Sequence, residues 1–115
     1  MKVTIYHNPK CSTSRNVLEI LRSKGIEPTI IDYLKTPLSK SELAALIKKM
    51  GVTAKDIVRW KEKDVVAEAG IREDSSEAKL LEAMARHPIL MNRPIVITPK
   101  GAKLCRPSET VAEIF

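Results

Sequence analysis

Apolar and polar positions alternate over Val3-Thr4-Ile5-Tyr6, and the β-branched content of the run that opens Met1-Lys2-Val3-Thr4-Ile5 predicts a first strand. The period then changes. From Ser12 or Thr13 to Lys24 the apolar residues Val17, Leu18 and Leu21 fall on one helical face, and Gly25 stands where a left-handed residue ends a helix. Pro28-Thr29-Ile30-Ile31-Asp32 predicts a second strand, and a β-α-β unit of this length crosses over right-handed with its strands parallel. Thr36-Pro37-Leu38 breaks the chain. Ser39-Lys40-Ser41-Glu42 then has the form of a capping box, and Leu43, Leu46, Ile47 and Met50 trace a helical stripe up to Gly51. Thr53 is placed to cap a short helix through Arg59, and Val65 to Ala69 adds a turn or two. Asp74 or Ser75 starts the next helix, with Glu77 placed for capping and Leu80, Leu81 and Met84 facing inward, and the helix ends before His87-Pro88. The last third reads as a hairpin. Pro94 to Thr98 is a strand, Pro99-Lys100-Gly101 a turn and Ala102 to Arg106 a second strand, followed by a closing helix over Ser108 to Ile114 with Ser108 as its cap.

Composition narrows the class. A chain of 115 residues is one domain, residues 1–115, long enough to bury a core without disulfides or a structural metal. No apolar stretch approaches a bilayer span and the start lacks the pattern of a secretory signal, so the expectation is a cytoplasmic protein with no membrane partner. Two cysteines without a C-x-x-C suit a reducing compartment and single-thiol chemistry, and two histidines are too few for a zinc site of usual spacing. The formal charge of +6 is spread along the chain and aromatic residues for base stacking are few, which argues against nucleic acid and leaves attraction of a small anion.

The chemistry concentrates in His7-Asn8-Pro9-Lys10-Cys11-Ser12-Thr13-Ser14-Arg15, a strand, a tight loop and a helix start. There Cys11 meets helical N–H groups without intrahelical partners and the positive end of the macrodipole, conditions that lower a thiol pKa and also seat an oxyanion. His7 either stabilises the thiolate and relays a proton or simply closes the strand. Ser14 is either a hydrogen-bond partner of the thiolate or an ordinary first-turn serine. Asn8 holds the loop through backbone groups. Arg15 completes C-x-x-x-R, too short a spacing for the C-x-x-x-x-x-R loop of tyrosine phosphatases. Cys105, within a strand, reads as a small buried hydrophobe.

The element order resembles the thioredoxin fold, an α/β arrangement with a four-stranded mixed sheet and here a helical insertion between its β-α-β and β-β-α halves. That resemblance makes Arg93-Pro94 the expected cis bond, facing the cysteine loop. Together with the loop, Tyr33-Leu34-Lys35-Thr36-Pro37, His87-Pro88-Ile89-Leu90-Met91-Asn92-Arg93-Pro94-Ile95-Val96 and Cys105-Arg106-Pro107-Ser108-Glu109 closely resemble the glutaredoxin-coupled arsenate reductases of the ArsC family, over Lys2 to Phe115. The resemblance implies thiol-dependent reduction of arsenate to arsenite, with glutathione as co-substrate, glutaredoxin as partner and no bound cofactor. It implies Cys11 as nucleophile and suggests Ser14 as its hydrogen-bond partner, and His7, the nearest histidine, is assigned with them to the catalytic set. It implies Arg59, Arg93 and Arg106 as the residues that hold the oxyanion, and Asn8 is assigned with them to substrate binding. A planar guanidinium suits this task because its fork engages two oxygens at once. Two alternatives share the fold: a glutathione-dependent thiol reductase with another substrate, and an Spx-like regulator that binds RNA polymerase. The latter carries C-x-x-C where this chain has Cys11-Ser12-Thr13-Ser14.

Overall fold

In the computed structural model, which describes residues 2–115, four short strands form one mixed sheet. Met1 of the expected first strand lies outside the described residues. The strands are β1 (Thr4–His7), β2 (Thr29–Asp32), β3 (Ile95–Thr98) and β4 (Gly101–Leu104), in the order β2-β1-β3-β4. β1 pairs parallel with β2, and β3 runs antiparallel to both β1 and β4. This is the thioredoxin-like arrangement implied by the element order. The helices are α1 (Ser12–Ser23), α2 (Lys40–Met50), α3 (Lys63–Ala69) and α4 (Glu77–Arg86). None among the described residues is long and apolar enough to cross a membrane.

The chain groups into two compact units. The first runs through Thr36 and resumes over Arg93–Phe115, and so holds the whole sheet and α1. Its core is built from Val3, Ile5 and Val96 of the sheet region, Val17, Leu18 and Leu21 of α1, and Cys105, Val111 and Ile114. The three α1 residues are those of the predicted stripe. α1 stops at Gly25, whose φ of +78° is a conformation that L side chains rarely adopt. The second unit, Pro37–Asn92, packs α2 against α4, with Leu43, Leu46, Ile47, Leu80, Leu81 and Met84 buried. Its α2 begins with the capping box that the sequence spells out: Glu42 N–H donates to Ser39 Oγ (3.2 Å), and Ser39 N–H donates to the Glu42 carboxylate (2.9 Å).

Several local expectations are corrected. α4 is capped by Ser76, not by Asp74 or Ser75, because Ser75 Oγ is engaged by the Arg72 N–H in the preceding turn. The Glu77 carboxylate instead accepts the Ala54 N–H at 3.0 and 3.1 Å. Thr53 opens only a 3₁₀ segment, Ala54–Ile57, and not a helix reaching Arg59. The closing helix over Ser108–Ile114 is also 3₁₀, preceded by Pro107 at the capping position, and Ser108 Oγ bonds the Glu109 carboxylate. The two residues that anchor it, Val111 and Ile114, are three apart, the spacing that a 3₁₀ helix stacks on one face.

Strand register brings four chain ends to one edge of the sheet. His7 lies opposite Asp32 in parallel register, so the chain leaves β1 and β2 side by side, at Asn8 and Tyr33. Tyr6 lies opposite Ile95 and Ile95 opposite Leu104, so Arg93-Pro94 enters β3, and Cys105-Arg106 leaves β4, at that same edge. The Arg93-Pro94 bond is cis, as the fold resemblance implied, and so is Arg106-Pro107.

Leu21 is fully buried in the first unit's core. Leu21→Ala is expected to destabilise the protein by about 3 kcal/mol, read from the midpoint of urea unfolding at unchanged slope.

Candidate active site

Cys11 is the N-cap residue of α1, in extended conformation, and its carbonyl accepts the first helical hydrogen bond from Arg15 N–H at 3.0 Å. Pro9 and Lys10 form the turn before it, closed by the Cys11 N–H on the Asn8 carbonyl at 3.0 Å. The neutral thiol makes no capping hydrogen bond, but the Ser14 N–H faces the sulfur and favours the thiolate, as an anion at a helix N-terminus is favoured.

Two guanidiniums meet the same sulfur. Arg106 Nη1 lies 3.7 Å from Cys11 Sγ and donates to the Arg93 carbonyl at 2.9 Å. Arg93 is nine-tenths buried, and its guanidinium also favours the thiolate. Partial burial alone would push the Cys11 thiol up. The Ser14 N–H and the two arginines outweigh it and pull the thiol down to about 7. Near neutral pH, then, about half of this sulfur is thiolate, with cationic donors beside it that can also hold an anion.

The other loop residues have defined partners. Ser14 is fully buried, and its Oγ lies 2.7 Å from His7 Nδ1 while accepting the Asn8 N–H at 3.1 Å. Burial lowers the His7 pKa, as do Arg22 and Arg15, against the opposing pull of Asp32. A neutral His7 can accept the Ser14 hydroxyl proton at Nδ1. The Ser14 side chain is therefore turned to His7, and it is the Ser14 backbone that addresses Cys11. Asn8 Oδ1 accepts the Lys10 N–H at 2.9 Å, an Asx turn that shapes the loop, and Arg15 Nη1 donates to the Pro9 carbonyl at 2.9 Å. Tyr33, to which the sequence assigns no role, is buried with its hydroxyl against Asn8 and Arg93. It opens one of the motifs that carry the family resemblance, but only the β1–β2 register shows its place beside Asn8.

Arg59 belongs to the second unit. Its N–H donates to the Leu90 carbonyl at 2.7 Å and its Nη1 to Asn92 Oδ1 at 3.4 Å, while its buried Nε has no hydrogen-bond partner among the described residues. Cys105 is fully buried in the first unit's core, and burial pushes its thiol up to about 11.

The model of the ArsC family matches residues 6–114. An arsenate reductase of Escherichia coli (strain K12) is 52% identical over 114 residues, covering 98% of this chain and 80% of that protein. An arsenate reductase of Rhizobium meliloti (strain 1021) is 52% identical over 116 residues, covering 100% of this chain and 82% of its own length. Among solved structures, an arsenate reductase from Vibrio cholerae superposes with a TM-score of 0.92 at 41% identity, covering 100% of this chain and 98% of that one.

The rate of iodoacetamide alkylation should rise with pH through an inflection near 7, because only the thiolate reacts, and level off above it. Cys11→Ser should leave no reactive thiol in the folded protein, since Cys105 is buried and protonated. Arg106→Met should move the inflection toward the free-thiol value of about 8.5. A wild-type inflection already at that value would contradict the role given to the guanidiniums.

Proposed function

The chain belongs to the ArsC family, and on that premise we propose that it reduces arsenate to arsenite through a Cys11 thiolate, with glutathione and glutaredoxin supplying the electrons. The observation that carries this reading is a single low-pKa sulfur at a helix N-terminus with two guanidiniums against it. Arsenate carries several oxygens around one electrophilic centre, and forked donors can hold two of them while the sulfur faces the arsenic. Arg93 and Arg106 serve as that clamp. Arg59 is the third arginine of the proposed set, on the family premise alone. Asn8 supports the seat by holding the loop.

In the proposed sequence Cys11 Sγ attacks arsenic, and an arsenate oxygen takes a proton and leaves as water as the S–As bond forms. Glutathione displaces a second oxygen in the same way. The position three residues after Cys11 is a serine whose hydroxyl is bonded to His7, and Cys105 is buried, so the resolving thiol comes from outside the chain. Glutaredoxin then attacks the glutathione sulfur. The S–As electron pair passes to arsenic, which falls from the +5 to the +3 state as a glutaredoxin–glutathione disulfide forms. Water releases arsenite from Cys11, and the thiolate is restored. The neutral His7–Ser14 pair beside the loop fixes the loop's geometry and can exchange a proton with it.

The test is arsenate-dependent NADPH oxidation with glutathione, glutaredoxin and glutathione reductase. Cys11→Ser should cost about a thousandfold or more in rate. Arg93→Lys, which keeps the charge but loses the fork, should raise KM for arsenate about tenfold. Full turnover with glutaredoxin left out would exclude the proposed electron path.

A further inference from the structure

We propose that Tyr33 is a positioning residue of this site: its buried hydroxyl bridges Asn8 and the Arg93 guanidinium across the ends of β2, β1 and β3, and so keeps Arg93 aimed at the Cys11 sulfur. The geometry comes first from the sheet. Parallel pairing of His7 with Asp32 sets Tyr33 beside Asn8, and antiparallel pairing of Tyr6 with Ile95 brings Arg93 to the other side of the same strand end. All three side chains are buried, Tyr33 at 1% exposure, Asn8 at 3% and Arg93 at 9%. The Tyr33 hydroxyl faces both the Asn8 side chain and the Arg93 guanidinium, each of which opposes the upward push of burial on its pKa. A guanidinium has donors only, so the phenol oxygen must accept from Arg93.

An arginine is long and has many rotamers, and a fork that must present two donors to a ligand needs an anchor on another edge. Arg106 is fixed by the Arg93 carbonyl, which accepts at 2.9 Å from the same Nη1 that lies against the sulfur. Tyr33 gives Arg93 the equivalent. The choice of group also has a chemical reason. A carboxylate there would hold the guanidinium more strongly but would cancel its charge and repel an incoming anion. A phenol accepts the hydrogen bond while staying neutral, and burial reinforces this by raising the Tyr33 pKa against the opposing pull of Arg93. The charged groups that act on the hydroxyl are Arg93, which lowers its pKa, and Cys11, which raises it. Asn8 completes the link, since the same side chain that meets Tyr33 also shapes the cysteine loop through Lys10 N–H. Loop and clamp are thus indexed to one hydroxyl.

The kinetic consequence rests on the arsenate reading above, whereas the thiol titration does not. Tyr33→Phe removes only the hydroxyl and keeps the packing. Its folding is checked by circular dichroism. Iodoacetamide alkylation of this variant should show the Cys11 inflection raised by about half a unit, and KM for arsenate should rise about fivefold with kcat within about twofold. A residue acting through Arg93 should add nothing further in an Arg93→Lys background, so the two changes should be non-additive. An unchanged inflection and KM in folded Tyr33→Phe, or additive effects with Arg93→Lys, would overturn the proposal. A raised inflection in a protein that fails to turn over arsenate would support the positioning role and reject the arsenate reading instead. Should Tyr33→Phe fail to fold, 3-fluorotyrosine at position 33 in a Tyr6→Phe background retains the hydroxyl. Its ¹⁹F resonance should then follow the Cys11 titration near 7 and lose that response in Arg93→Lys, and a resonance flat with pH would overturn the proposal.

Discussion

Holding a sulfur anion half out of water requires donors from more than one direction, and this requirement organises the first unit. One donor is local, the Ser14 N–H at the start of α1. The others, Arg93 and Arg106, are remote in sequence and arrive because β3 and β4 form a hairpin whose open end lies beside the end of β1. Burial alone would push the Cys11 thiol up, and the Ser14 N–H together with the two guanidiniums that the sheet delivers pulls it down. A shift of register by one residue would turn them away from the sulfur.

The same edge separates two kinds of cysteine. Cys11 and Cys105 lie at the ends of elements in the same unit, yet one thiol is drawn down to about 7 and the other pushed up to about 11. The difference is environment. Cys105 is enclosed by the apolar core with Val96, Val111 and Ile114, where burial outweighs the few groups that would favour an anion, while Cys11 caps a helix among cationic donors. A site with one reactive sulfur and no second thiol in its loop suits chemistry completed by an external thiol, which is how the ArsC premise and the geometry meet in the proposed function.

Ser14 illustrates how a local motif divides its tasks. Its backbone serves the sulfur, and its hydroxyl ties His7 and the Asn8 N–H into one buried unit. The loop is therefore rigid on its inner side through His7–Ser14 and on its outer side through the Arg15–Pro9 and Asn8–Lys10 bonds. Rigid placement suits the proposed attack on a small anion, because misplacement by a fraction of an ångström weakens both attack and charge stabilisation.

Local periodicity and capping chemistry by themselves determined β1, α1, its stop at Gly25, the Ser39–Glu42 box and the β3–β4 hairpin, because each of these is decided by neighbours within a few residues. The lowered pKa of Cys11 was legible for the same reason: a helix N-terminus acts on whatever residue caps it. Legibility failed where a side chain had competing partners. Ser75 was drawn into a turn, Glu77 was captured by the Ala54 N–H, and the C-terminal segment wound as a 3₁₀ and not an α-helix. Which arginines reach Cys11, and that Tyr33 stands behind one of them, was decided only by tertiary structure. Residues 11, 33, 93 and 106 are tied together by strand pairing, and pairing register depends on the long-range burial of a whole sheet face, which no local pattern encodes.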